Sequence, residues 1–200
     1  MTGIGVRKAT AADMALLTNT LVAAFEDDPV MRWCAPSDTR WRRAAEAAFA
    51  AAMRVTYLPK DEVYMAEDGL SAALWAPPDK WQSPASEVLR LLLPYFRLCG
   101  SHLPRTLRLL NTMEARHKQH AEPHRYLAFI GTAPSAQGKG YGTSLLSAML
   151  DRCDAEGLGA YLEASSSRNE ALYFRHGFEV VDEIRVGNSP PLRPMWRKPR

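Results

Sequence analysis

"SAQGKGYGTSLL", residues 135–146, packs three glycines into five positions and then turns into an apolar run. Glycine accepts a positive φ and lets the backbone close on a ligand. This density therefore marks either a bound phosphate or a tight strand-to-helix turn. Two familiar phosphate loops fail. A Walker loop needs a glycine five residues before the Gly-Lys pair, and Ala133 stands there. In a GxGxxG pattern begun at Gly138, the last position falls on Thr143. What remains is Gln137-Gly138-Lys139-Gly140-Tyr141-Gly142-Thr143 between a buried strand and a buried helix. Backbone amides converging on a helix N-terminus suit a pyrophosphate, and Thr143 can add a hydroxyl. Lys139 either faces a phosphate or is solvated.

The flanks read outward from this loop. "RYLAFIGTAP", 125–134, is a dense apolar strand. Residues 140–153 form a helix with Leu145, Leu146, Met149 and Leu150 inward, and Gly157 ends it. "GAYLEASS" is the next strand, residues 169–176 form a short helix, and "GFEVVDEIRV" and "PLRPMWRKP" make a final antiparallel pair.

Upstream, "GVRKAT" is a first strand and Thr10 with Asp13 resembles a capping box. A helix carrying Leu17, Leu21, Ala24 and Phe25 ends near "EDDP". Ser37 or Asp38 caps the next, burying Trp41, Ala45, Ala48, Phe49 and Ala52 and turning Arg40, Arg42 and Arg43 to solvent. "EVYMAEDGLSAALWAPP" is a hairpin around Asp68-Gly69. Residues 86–120 are helical, with breaks near Pro94 and Pro104. The order predicts an α/β fold, a mixed sheet with helices on both faces, in one domain spanning 1–200 with no linker.

Bulk properties agree. The 200 residues are 46% hydrophobic and 24% charged, with net charge +3. That excess fits a small anionic ligand and is too weak to indicate nucleic acid. Cys34, Cys99 and Cys153 form no disulfide framework, and the N-terminus lacks a signal-peptide layout. A cytoplasmic protein with no membrane segment is expected.

The Q-G-K-G-Y-G run after "FIGTAP" resembles the Q/R-x-x-G-x-G/A acetyl-CoA motif of the GNAT N-acetyltransferases. "LEASSSRNEALYFRHGFEVV" is similar to the second half of that fold. "VRKATAADM", "LVAAFEDDP", the hairpin and "MWRKP" are similar to the puromycin N-acetyltransferase branch, weakest over about 80–122. The resemblance implies a mostly antiparallel GNAT sheet whose central strand pair splays. Ile130, Gly131 and Thr132 would pair with the pantetheine arm, residues 138–143 would hold the pyrophosphate, and Asn169 would touch the cofactor arm. A backbone donor near Ile130 would meet the thioester oxygen.

Amine acetylation needs a neutral amine, a stabilised thioester oxygen and a proton for the departing thiolate. The resemblance makes Tyr173 the proton donor, through a Y-x-x-x-G-F arrangement. Without it, Tyr173 reads as a core tyrosine. Glu163 is the candidate base if strand alternation turns it to the cleft, and structural if not. Glu26, Asp27 and Asp28 match a segment lining the acceptor side, where they would attract a cationic amine. Otherwise they are solvated helix-end charges. Puromycin-type sequences carry an aromatic at the position of Asp28.

His117, His120 and His124 lack a partner to complete a tetrahedral metal set and read as exposed helix-end residues. Cys153 reads as core. The expected activity is transfer of acetyl from acetyl-CoA to a small-molecule primary amine by direct attack in a ternary complex, without a metal. The enzyme would be a monomer or homodimer. A protein N-terminal or lysine acetyltransferase, with an open groove in place of a pocket roofed by residues 80–122, is the alternative within enzymes. A non-catalytic acetyl-CoA-binding module is the alternative outside them.

Overall fold

The computed structural model describes residues 3–200. The chain runs β1 (Val6–Lys8), α1 (Met14–Ala24), α2 (Pro29–Cys34), α3 (Asp38–Ala52), β2 (Val63–Ala66) and β3 (Ser71–Ala76). It continues through α4 (Ala85–Cys99), α5 (Leu103–His117), β4 (His124–Thr132), α6 (Tyr141–Glu156), β5 (Gly159–Ala164) and α7 (Ser167–Arg175). The last strands are β6 (Glu179–Val180) and β7 (Arg193–Arg197). The sheet order is β1-β2-β3-β4-β5-β7-β6, and only β4 and β5 run parallel.

Two apolar layers sandwich this sheet. Leu17, Leu21, Trp41 and Phe49 of α1 and α3 cover Met65 and Leu74. On the opposite face, Leu145, Leu146, Met149 and Leu150 of α6 join Tyr173 over Leu127, Leu162 and Met195. Among the described residues, no helix is long and apolar enough to cross a membrane.

Local chemistry sets the element ends. The Thr10 N–H donates to Asp13 at 2.8 Å, half of the expected capping box. Ser37 accepts from the Arg40 N–H at 3.3 Å and starts α3. Gly157, at φ +66°, ends α6, and the Leu158 N–H reaches back to the Cys153 carbonyl at 2.9 Å.

Three expectations are corrected. The segment between "EDDP" and Ser37 holds a helix of its own, α2. The Asp28 carboxylate starts it by accepting from the Val30 and Met31 N–H groups, both at 3.0 Å, with Pro29 in the first turn. Pro94 lies inside α4 and does not break it. The break comes at Gly100, whose φ of +54° and ψ of −126° suit only glycine. Arg40 is not given wholly to solvent. Its guanidinium donates to the Arg97 carbonyl at 2.9 Å, where the C-terminus of α4 favours a cation.

The feature that positions the site lies at β4. β4 pairs with β5 from His124↔Gly159 to Leu127↔Leu162 and no further. On its other edge the register slips between Leu74↔Phe129 and Trp75↔Leu127, which leaves Ala128 as an extra residue. Such a bulge bends its strand. Beyond it β4 stays with β3 and β5 stays with β7, so a gap opens between the two parallel strands.

Candidate active site

Backbone groups on β4 alternate in direction. The Gly131 carbonyl accepts from Ser71 Oγ at 2.9 Å, and the Ala133 N–H donates to Leu70 at 2.8 Å, so both turn toward β3. Ile130 and Thr132 therefore turn their amides and carbonyls into the gap. The Thr132 carbonyl is taken by the Gln137 side chain at 3.3 Å. Ile130 thus carries the free backbone pair nearest the bulge. Gly131 acts differently: a Cβ there would lie 2.9 Å from that of Ala24, so its hydrogen lets α1 seat on the strand.

The glycines of the loop divide their work. Gly138 and Gly140 have φ of +76° and +92°, a region L side chains rarely adopt. Nothing lies within 4 Å of a Cβ built at Gly138, and beside one at Gly140 only Ile4 comes within that range, at 3.9 Å. These two shape an open cradle at the α6 N-terminus. Gly142 is a packing residue, since a Cβ would meet Leu172 at 3.1 Å. Gln137, Lys139 and Thr143 are exposed around the cradle, while the Tyr141 hydroxyl donates to Asp68 at 2.5 Å. If the cradle takes the pyrophosphate that the family resemblance implies, Gly140→Val should strain the turn and raise the acetyl-CoA KM about tenfold, with kcat at saturation changed less than about threefold. Steady-state kinetics at varied acetyl-CoA checks this.

Glu163 sits where the strands part. Leu162 and Ala164 enter the layer under α6, so alternation puts Glu163 and Tyr161 on the opposite face. Burial raises the Glu163 carboxyl to about 7, with the Tyr126 and Tyr161 hydroxyls pulling it back down. The Tyr161 hydroxyl is buried without a partner at hydrogen-bond distance, so its pull acts from farther off. Tyr57, from the π-helical turn after α3, faces the same carboxylate. Tyr57, Phe25 and Phe49 surround Phe129 with centroids 6.1, 5.7 and 5.6 Å away.

Tyr173 comes from the other layer. Ser166 caps α7 by accepting from the Asn169 N–H at 3.3 Å, which leaves Asn169 part-exposed on the first turn. Tyr173 is buried, with its ring edge-on to Phe178 at 5.9 Å. The Phe178 N–H bonds to the Tyr173 carbonyl at 3.1 Å across Gly177, whose φ is +86°. The Tyr-x-x-x-Gly-Phe spacing is therefore a helix stop with its hydrophobic contact, whatever the hydroxyl does. Burial and the nearby Asp28 push this phenol well above its ordinary range. Asp28 also accepts from Ser165 Oγ at the end of β5. Glu26 and Asp27 are exposed.

A free strand edge, an open glycine cradle and a near-neutral carboxyl beside the gap suit a long phosphate-bearing thioester. The model of the acetyltransferase (GNAT) family matches residues 75–178. The chain belongs to that family. An uncharacterized N-acetyltransferase of Schizosaccharomyces pombe is 28% identical over 98% of this chain and 84% of its own length. The crystal structure of histone acetyltransferase HPA2 and related acetyltransferase from Corynebacterium glutamicum superposes with a TM-score of 0.73. It is 27% identical, over 98% of this chain and 96% of that one. A Drosophila melanogaster polyamine N-acetyltransferase that forms N-acetylagmatine shares the fold, with a TM-score of 0.65 and 14% identity. That match covers 98% of this chain and 100% of the other.

This GNAT acetyltransferase departs from expectation at its histidines. His117 and His124 are buried, 2% and 4% exposed, not solvated helix ends. Their Nε2 atoms lie 2.6 Å apart, and His124 Nδ1 lies 2.6 Å from the Glu122 carbonyl. His120 stacks on Trp196. Nothing local in "HKQHAEPH" reports this, because the rings that bury it come from Trp81, Tyr161 and Trp196. Among the described residues, no group of three or more His, Cys, Asp or Glu is placed to hold a metal.

Burial lowers the His117 imidazole to about 3 and lowers His124 as well. The unfolded chain then binds protons below its ordinary histidine value of about 6.5 that the folded one refuses, so stability falls as pH drops through that window. Denaturant unfolding between pH 7 and 5 should show His117→Phe losing about 2 kcal/mol less than the parent.

Proposed function

We propose that the chain transfers acetyl from acetyl-CoA to a primary amine of a small molecule, by direct attack while both substrates are bound. The observation that carries this reading is the gap between β4 and β5, with a free amide on one wall and Glu163 on the other face of its apex. The cradle of Gly138 and Gly140 fits a pyrophosphate, and the N-terminus of α6 adds its dipole. When bound, acetyl-CoA supplies an acyl group activated by its thiolate leaving group.

The chain's own residues do the rest. Ile130 offers its N–H to the acyl oxygen as charge develops there. Glu163, half in its charged form near pH 7, takes the proton from the incoming ammonium, directly or through a water. Tyr173 stays a neutral phenol at working pH and holds the proton that the departing sulfur needs. Tyr57 faces the carboxylate and packs edge-on against Phe129, which in turn meets Phe25. Asp28, fixed as a helix cap, brings one acidic group to the acceptor side. It stands where the puromycin-type sequences carry an aromatic, so an amine other than puromycin is the favoured acceptor.

A second reading, acetylation of a protein amine, draws on the name of the 27%-identical Corynebacterium glutamicum structure. Thiol release from acetyl-CoA across a panel of small amines, puromycin and basic peptides separates the two. Turnover confined to peptides overturns the small-molecule reading. Binding of acetyl-CoA without turnover on any of them favours a regulatory module.

A further inference from the structure

A column of rings runs alongside the Glu163 strand. His117 stacks on Trp81 at 3.8 Å and on Tyr161 at 4.2 Å, with interplanar angles of 23° and 19°. It also touches Tyr126 at 4.7 Å. Tyr126 and Tyr161 are partners in the β4–β5 register, one pair before the strands part. They are also two of the three tyrosines that face Glu163. His117 therefore leans on both residues that flank the carboxylate.

The hydrogen bonds fix His117 in turn. A carbonyl only accepts, so His124 Nδ1 must carry the proton that meets Glu122. The neutral His124 then accepts at Nε2, and His117 must donate from its own Nε2. Both tautomers and both ring orientations follow. An apolar ring would fill the same space without desolvating two imidazoles. The hydrogen-bonded pair adds a fixed orientation to simple filling.

We propose that the buried His117–His124 pair is a positioning unit for the acceptor-side carboxylate: it fixes the rings of Tyr161 and Tyr126, the register partners that stand beside Glu163 on the same face of the sheet. The proposal rests on the reading of Glu163 as the base. The pair touches neither substrate, so it acts through the tyrosines. The ionisable groups facing it are His120, Glu122 and Asp79, and those facing Glu163 are Tyr57, Tyr126 and Tyr161.

The test follows the Glu163 carboxyl itself, by NMR of the full chain with carbon-13 in its glutamate carboxyls. The signal missing in Glu163→Gln identifies it. Both tyrosines hold its titration midpoint down, so loosening either should raise it. Tyr161→Phe and His117→Leu should each move the midpoint up by about half a pH unit or more. The double variant should move it no further than Tyr161→Phe alone, since both act by one route. His117→Phe keeps the stack and loses the bond, so it should shift the midpoint less, and it serves if His117→Leu does not fold. A midpoint that moves in Tyr161→Phe but stays put in both His117 variants overturns the positioning role. A midpoint fixed in all of them shows that the tyrosines do not hold the carboxylate, and overturns it too. Full turnover by Glu163→Gln would instead sink the base reading and leave these shifts to be read on their own.

Discussion

Glu163→Gln should remove most turnover and make the protein more stable. The carboxyl is raised from 4.5 to about 7, chiefly by burial. Between those values the folded protein holds a proton that the unfolded chain has released, so stability falls as pH rises through the window. Above pH 7 the charged carboxylate costs up to about 3 kcal/mol of folding free energy. Glutamine has similar volume and no charge, so it escapes that cost. At pH 8 the variant should melt roughly 5–10 °C higher, and at pH 4.5 the gain should vanish. Over the same range kcat/KM should fall about 10²- to 10⁴-fold, and the acid limb near pH 7 should disappear. Thermal melts at both pH values, paired with thiol release, check both halves. A merely structural carboxylate would show no loss of rate. An exposed one would show no pH-dependent gain.

That combination is expected of a group held in place for chemistry against the interest of the fold. Other charged clusters here behave differently. Arg125 pairs with Glu62 and Glu156, both at 2.7 Å, and the two exposed-side carboxylates, Glu156 and Asp154, are pulled below their ordinary values by arginines. Those partnered carboxylates stabilise the fold. Among the described residues, the titratable groups that face Glu163 are tyrosines.

Much of this was legible from local sequence. The loop, its strand and its helix were readable because glycine marks turns and apolar runs mark burial. Thr10, Ser37 and Gly157 signal helix ends through chemistry that acts over a few residues. The splay of β4 from β5 came only through family resemblance, since Ala128 looks like any strand residue until its partners are known. Pro94 is no helix end because a helix can continue past one missing donor, whereas Gly100 takes a conformation that suits only glycine and ends α4. The burial of the histidine pair depends on rings distant in sequence, so no local pattern reports it. Its only sequence-level sign was two histidines seven residues apart across a turn.

The spacing that marked Tyr173 as catalytic has a separate structural cause, which makes Tyr173→Phe the sharper experiment. The helix stop at Gly177 and the edge-on contact with Phe178 use the ring and backbone of residue 173, and phenylalanine keeps both. Its melting temperature should therefore stay within about 3 °C of the parent. If the hydroxyl protonates the leaving sulfur, kcat should fall about 10²-fold with the acetyl-CoA KM within about twofold. Asp28 supplies the second handle. Burial is the main cause of the raised phenol and Asp28 adds to it, and asparagine can still cap α2. Asp28→Asn should thus remove the smaller of the two contributions and lower the phenol in part, moving any alkaline limb of kcat to lower pH without melting the helix. A phenylalanine variant as fast as the parent would return Tyr173 to the core of the fold and leave the departing thiolate to take its proton from water.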